Sequence, residues 1–519
     1  MLVILGTLLS LVAAATYFVL THKYNFWKKY GLPSPKPLPL LGNYADFILM
    51  RKNLGDTFTE ICKQFPNEPI IGTYYGTEPA VIIKDPELLK LVITKDFYYF
   101  SSRELREHVH REPATKNVFS AEGDYWRVMR QNLTPVFSSA KMKKMFYLIE
   151  KRTEEYQKVL AKEINEKQIH DARSFNTRFT MDCIGSCIFG VDTNAMSSAA
   201  NENPFRIISD KILDFSPKKL SKVILRSIWP SLFYALKMQA FPKEANDFFA
   251  NLVKDVFKER NHKPSARNDF VDFILSFKQN DYLEGDEIKS MKIKDGSTGK
   301  IKLSVDDEML VAQCLVFFAA GFETSAATMS FTLYELAKKP EVLQKVLEEV
   351  DEHMKTHDGK ITYDCVTELP YLEACIDESL RLYPVLGGLT REVVEDYTLP
   401  SGVVLKKGVR VHIPVYYLQK HPDYFPEPEE YRPERFLGAN KQDVKPFTYY
   451  PFGEGPRICI GMRFAKMQML AGLVTLLKDY TVELPATTPR KLTFTPNAFT
   501  TQTREQLALK FLPRRVLAA

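Results

Sequence analysis

The stretch Phe452-Gly453-Glu454-Gly455-Pro456-Arg457-Ile458-Cys459-Ile460-Gly461, running on into Met462-Arg463-Phe464-Ala465-Lys466-Met467, decides how the rest of this chain is read. A glycine-rich loop entering a helix offers bare backbone N–H groups, and a thiolate facing a metal out of water needs such donors. Gly455 and Gly461 permit close backbone approach. Arg457, two residues before the cysteine, is placed to meet an acidic group of a cofactor on that side. Cys459 is therefore the candidate metal ligand. A lone cysteine would be better explained as a buried, inert thiol after a turn; the ten-residue pattern argues against that.

Working outward, the region from Pro384 is rich in Pro and Gly, with short β-like pieces at Val403-Val404-Leu405 and Val409-Arg410-Val411-His412-Ile413. An irregular run follows through His421-Pro422 to Tyr431-Arg432-Pro433-Glu434-Arg435-Phe436, and so long a structureless stretch inside a domain needs a reason. Upstream, residues 85 to 380 show mostly helical periodicity, interrupted by the polar stretch Asp281 to Lys300. Ser304-Val305-Asp306-Asp307 offers an N-cap and Lys338-Lys339-Pro340 a stop, which predicts one helix of about 35 residues, apolar nearly all round at Leu315 to Gly321. Such a helix belongs in the middle of a large domain. Ile70 to Tyr75 and Ala80 to Ile83 around Gly76-Thr77-Glu78-Pro79 predict a β-hairpin.

At the N-terminus, Leu2 to Leu20 carries no formal charge and approaches the roughly 20 residues of a membrane-crossing helix. The cations Lys23, Lys28 and Lys29 follow it, which predicts an uncleaved anchor with the body on the cytosolic side. Tyr24, Trp27 and Tyr30 suit the membrane interface, and Pro33 to Pro39 reads as a stiff spacer. The remainder is ordinary globular composition, 45% hydrophobic and 26% charged, and a net charge of +6 is too mild to argue for nucleic acid. Seven cysteines without a CxxC pair in a cytosol-facing body predict no disulfides. His353 and His357 are four apart on a helix, as zinc ligands can be, but with no third ligand nearby and no HExxH they are not read as a metal site.

The Cys459 segment matches FxxGxRxCxG at every fixed position and so resembles the haem-binding signature of the cytochrome P-450 family. The resemblance extends over essentially the whole chain and is nearest in look to the insect microsomal detoxification branch. It implies a mainly α fold with a smaller β region (α+β), with haem buried between the long central helix and the Cys-loop helix. The chain then divides into an anchor (1–22), a basic, proline-rich hinge (23–40) and a single haem-binding catalytic domain (41–519). Cys459 would ligate the iron of haem b, and Phe452, Gly455, Arg457, Gly461 and Ala320 would surround the cofactor. Trp126 and Arg130 resemble the family's WxxxR element, and with Arg391 they would meet the haem propionates; indole N–H and guanidinium groups are suitable donors. Ala320-Gly321-Phe322-Glu323-Thr324-Ser325 resembles the oxygen-activation motif. There the Thr324 hydroxyl can bond back to the Ala320 carbonyl and loosen the helix, and Glu323 with Thr324 would deliver protons to dioxygen.

Glu378 and Arg381 sit at i and i+3, and the resemblance adds Arg435 as third member of a buried ion cluster pinning the irregular run. Substrate would meet Phe119 in the range Arg103 to Phe119, Phe317 and Phe318, Leu386 in the range Val385 to Leu389, and Phe499 in the range Phe499 to Thr501. Relatives often carry further prolines after Tyr383-Pro384, where this chain has Val385-Leu386-Gly387-Gly388, which predicts a softer loop. Residues 224 to 241 would form a lip dipping into the bilayer.

The activity implied is insertion of one atom of dioxygen into small hydrophobic substrates, either xenobiotics such as plant toxins and insecticides or endogenous lipids and hormones. The chain has no dinucleotide-binding loop or flavin domain, so electrons would come from NADPH through a reductase on the same membrane, meeting Arg463, Lys466, Lys141, Lys143 and Lys144. Cytochrome b5 is a second candidate partner, membrane lipid a third, and the endoplasmic reticulum the expected site. The rival readings are a dedicated hormone or steroid hydroxylase, a haem-thiolate isomerase or dehydratase, and a non-enzymatic haem carrier or sensor. Isomerases of this kind usually lose the acid and threonine that are present here as Glu323 and Thr324.

Overall fold

Nineteen uncharged positions in a row leave a helix with no charged face, and α1 (Leu2–Thr21) stands out from the body with Ile4, Leu11 and Phe18 exposed. The computed structural model describes residues 2–514 apart from 104–107, 198, 200, 201, 215 and 293–298. Its architecture is mainly α with a smaller β region.

The expected hairpin is present as β1 (Ile70–Tyr75) and β2 (Glu78–Ile83), paired antiparallel from Ile70↔Ile83 to Tyr75↔Glu78. Its loop is shorter than predicted, because Glu78 and Pro79 already lie in the second strand. Among the helices that follow are α2 (Gly123–Leu133), α3 (Ser139–Glu166), α4 (Ala172–Ile184) and α5 (Pro217–Ile228).

The central helix starts where predicted, with the Asp306 carboxylate accepting the Met309 N–H at 2.6 Å. It is broken at Phe322 into α6 (Asp307–Gly321) and α7 (Glu323–Lys338). Although its composition would allow a membrane crossing, most of it is buried inside the body. Beyond it lie α8 (Pro340–Thr356) and α9 (Pro370–Leu382), then strands β3 (Leu389–Glu392) and β4 (Arg410–Ile413), and finally α10 (Met462–Leu477), which leaves the Cys459 loop. β4 pairs parallel with β2 and antiparallel with β3, so the main sheet runs β1-β2-β4-β3.

Two cores result. One is built on the helices, with Leu315, Leu333, Leu470 and Leu473 at its centre. The other lies against the sheet and contains Val81, Val411, Ile413 and Trp27.

Trp27 corrects the sequence reading. It is fully buried, its indole N–H donates to the Thr73 carbonyl at 2.8 Å, and its ring covers Gly72. Tyr24 donates to the Leu38 carbonyl at 2.9 Å, the Gly72 N–H to the Pro33 carbonyl at 2.8 Å, and Lys23 pairs with Glu78 at 2.7 Å. The segment that reads as a spacer is thus docked on the sheet. A tryptophan after an apolar span carries the same signature whether it meets headgroups or a core. Trp27→Ala is expected to destabilise the body by about 3–5 kcal/mol, read as an earlier denaturant midpoint. An unchanged midpoint would mean the segment contributes nothing to folding.

Candidate active site

The Cys459 loop is closed by its own backbone, with the Cys459 N–H donating to the Phe452 carbonyl at 2.8 Å. Gly455 has φ +70°, and a Cβ there would collide with the Ile93 carbonyl oxygen, so glycine is required twice over. Gly461 is different. It caps α10, and a Cβ on it would meet no atom within 4 Å, so close packing within the chain does not demand it.

Of the seven cysteines, all free, Cys459 alone is exposed. Burial nevertheless pushes its thiol up, against the Gly461 N–H, Arg130 and Arg103, which pull it down. The sulfur is thus accessible yet closely surrounded by protein. Ala320, in the otherwise buried stretch of α6, is exposed in the same way.

Positive charge gathers around this sulfur. Arg457 is buried, donates to the carbonyls of Ser101 (2.8 Å), Ala121 (2.7 Å) and Phe119 (3.2 Å), and lies 4.4 Å over the Trp126 ring. Burial, then Arg103 and Arg391, hold it well below an ordinary arginine. Arg103 falls to about 9 through burial and the charges of Arg391 and Arg130; Arg391 falls to about 10 through burial. Arg130 is lowered by burial and raised by Cys459. Glu122 is the acid acting on both Arg103 and Arg457. The buried Arg391 Nε has no partner among the described residues. Uncompensated buried charge is costly, so this cluster is incomplete without an anion.

On the other wall, the Thr324 hydroxyl donates to the Ala320 carbonyl at 2.7 Å, as the sequence predicts, at the break between α6 and α7. The freed Gly321 carbonyl accepts the Gln468 amide at 2.9 Å, and the same amide reaches Ser325 Oγ at 2.7 Å. A side chain of α10 therefore fixes the break relative to the Cys459 loop. Glu323 is buried and ion-paired with Arg173 of α4, and burial raises its carboxyl above the ordinary glutamate value while Arg173 opposes this.

The sequence profile of the cytochrome P450 family matches residues 32–509. The chain belongs to the cytochrome P450 family. It is 35% identical over 515 residues to cytochrome P450 6B7 of Helicoverpa armigera, covering 99% of each chain. It is 34% identical over 515 residues to cytochrome P450 6k1 of Blattella germanica, covering 98% of this chain and 96% of that one. A third relative, probable cytochrome P450 6a18 of Drosophila melanogaster, is 34% identical over 497 residues, 94% of each. As a cytochrome P450 it is a haem-thiolate monooxygenase that uses haem b, dioxygen and NADPH-derived electrons delivered by a reductase, and acts on small hydrophobic substrates.

The residues fit that cofactor. Four guanidinium groups short of acidic partners, Arg391 and Arg457 buried and Arg103 and Arg130 partly so, suit a group carrying two carboxylates, and a lone accessible thiol beside them suits its iron. In this P450 the ion cluster expected from the sequence is assembled. Glu378 and Arg381 are fully buried and joined at 2.7 Å, with Arg435 Nε 3.5 Å from the same carboxylate. Arg381 also donates to the carbonyls of Gln419 (3.0 Å), Pro428 (2.8 Å) and Glu430 (3.1 Å), which accounts for the order of the irregular run.

Phe119, Leu386 and Phe499 line one cavity of about 190 Å³, together with Arg103, Arg391 and Thr501. Phe317 and Phe318 do not belong to it. They are buried in an aromatic cluster, Phe317 against Phe137 and Phe270, Phe318 against Phe189, Phe249 and Phe322. Positions 104–107 of the first substrate range lie outside the described residues. The loop expected to be soft is packed: a Cβ on Gly388 would strike the Phe58 ring.

Arg103, Arg173 and Gln468 were not singled out by the sequence for these tasks. For Gln468 a signal existed, a lone polar residue in the apolar run 467–474, and it is fully buried.

Proposed function

We propose that this P450 is a detoxifying monooxygenase of the endoplasmic reticulum membrane, with its catalytic body on the cytosolic side and xenobiotics as substrates. Residues 1–22 anchor it, 23–40 connect anchor to body, and 41–519 form the haem-binding domain. When bound, the haem supplies dioxygen activation, with Cys459 as the iron ligand donating electron density. Trp126, Arg130, Arg391 and Arg457 hold the propionates, joined by Arg103. Phe452, Gly455, Gly461 and Ala320 shape the cofactor's two faces. Phe119, Leu386 and Phe499 present apolar surface to the substrate and exclude water.

The observation that carries the reading is the Thr324 hydroxyl bonded to the Ala320 carbonyl at the helix break, one residue from a buried carboxyl held by Arg173. An isomerase needs no such proton-handling pair. Glu323, its affinity for a proton raised by burial, and Thr324 pass protons toward dioxygen. Thr324→Ala is expected to cut product formation by roughly a hundredfold while NADPH consumption continues, the electrons escaping as hydrogen peroxide. Wild-type coupling in that variant would remove Thr324 from the proton route.

The lip reading is supported by exposed Leu232 and Leu236, in the segment where Trp229 donates to Thr77 at the hairpin tip, so membrane lipid covers this surface. The reductase meets exposed Lys143, Lys144 and Arg463, with cytochrome b5 as an accessory donor. Lys466 takes no part, because it is paired with Glu373 and Asp377.

A further inference from the structure

Three side chains to which the haem chemistry gives no task meet at the C-terminal end of α8. His353 and His357 project from one face, one turn apart, with ring centroids 4.4 Å apart. The connection that follows folds back through a short turn at Tyr363–Val366 and delivers Glu368 to them. A single carboxylate oxygen, Oε2, lies 3.0 Å from His353 Nδ1 and 2.6 Å from His357 Nε2. One donor atom from each residue falls within 4.8 Å of the others. The third ligand, absent near the pair in sequence, is thus supplied by the fold.

We propose that His353, His357 and Glu368 form a binding site for a divalent transition-metal ion, zinc by its donor set. In tetrahedral zinc sites, N and O ligands at 2.0–2.2 Å stand roughly 3.3–3.6 Å from one another. The two carboxylate–imidazole spacings, 3.0 and 2.6 Å, fall short of that value, so the side chains must open by roughly half an ångström to admit the ion. Two imidazoles and one carboxylate favour zinc over calcium or magnesium, which take all-oxygen shells. Burial grades across the site: His353 is buried, His357 half-buried and Glu368 exposed. The fourth position therefore opens to water. One negative ligand offsets part of the ion's charge.

The site would clip the 357–368 connection onto α8. That connection carries buried Cys365 and sets Tyr363 against Phe146 of α3 at 5.7 Å, so the clip also bears on the helical layer beside α10.

The test uses the full-length, haem-loaded protein without a histidine tag, dialysed against micromolar zinc and assayed for retained zinc separately from haem iron. One zinc per chain is expected. His357→Ala and Glu368→Gln, both away from the haem, are each expected to weaken zinc binding on the order of tenfold or more and to leave the carbon monoxide spectrum unchanged. The spectrum also reports that the variants are folded. Failure of the wild type to retain zinc, or wild-type retention in either variant, overturns the proposal.

Discussion

Cys459→Ala is expected to abolish the strongly red-shifted Soret band of the reduced carbon monoxide complex and to take monooxygenation below detection. The sulfur is the one exposed thiol of the seven, it sits at the mouth of α10 under the Gly461 N–H, and positive charge surrounds it. The other six cysteines are buried, and burial raises the thiols of Cys62, Cys314 and Cys365 to about 12, so none offers a thiolate in its place. Far-ultraviolet circular dichroism would show whether the variant remains folded. A red-shifted band that survives in folded Cys459→Ala would place the ligand elsewhere, and a wild-type band typical of histidine ligation would refute the thiolate outright.

The second large effect is expected from Arg381→Ala, which should yield little or no haem-loaded protein. Glu378 and Arg381 have no exposed side-chain surface. Removing one partner of a buried pair leaves the other charge uncompensated, at about 3–5 kcal/mol, a large share of the roughly 5–15 kcal/mol that holds a typical domain folded. The same substitution strips two carbonyls of the irregular run, Pro428 and Glu430, and that of Gln419 just before it, of their donor. Arg435→Ala should do less, since its Nε stands farther from Glu378, at 3.5 Å. The ratio of haem to total protein after purification reads out both. Haem loading of Arg381→Ala equal to wild type would mean the cluster is dispensable.

What was legible in the sequence was local. The Asp306 cap, the hairpin and the Thr324 back-bond each depend on residues within a few positions of one another, and each is found. The Cys459 loop was legible because its glycines and cysteine occupy fixed offsets. What escaped depends on packing between distant segments. Nothing around Arg173 says that it meets Glu323, and nothing around Arg103 says that it joins Arg391, two partners brought together only by the tertiary fold. Phe317 and Phe318 were misplaced because a helix apolar on every side does not reveal which face looks into a cavity. The loop at Gly387-Gly388 looked soft because glycine frees an unpacked backbone; here Phe58 occupies the space.

The docking of Trp27 sets a limit on how the gene can be shortened. Removing residues 1–20 deletes an apolar helix exposed at 4–8 and 10–19, and should give a polypeptide easier to keep in solution. A cut a dozen residues later looks equally harmless, since it only trims what reads as a tether. It would uncover Gly72 and the second core beneath it, so crystallisation trials begun at Pro33 should start from a damaged sheet and those begun at His22 from an intact one.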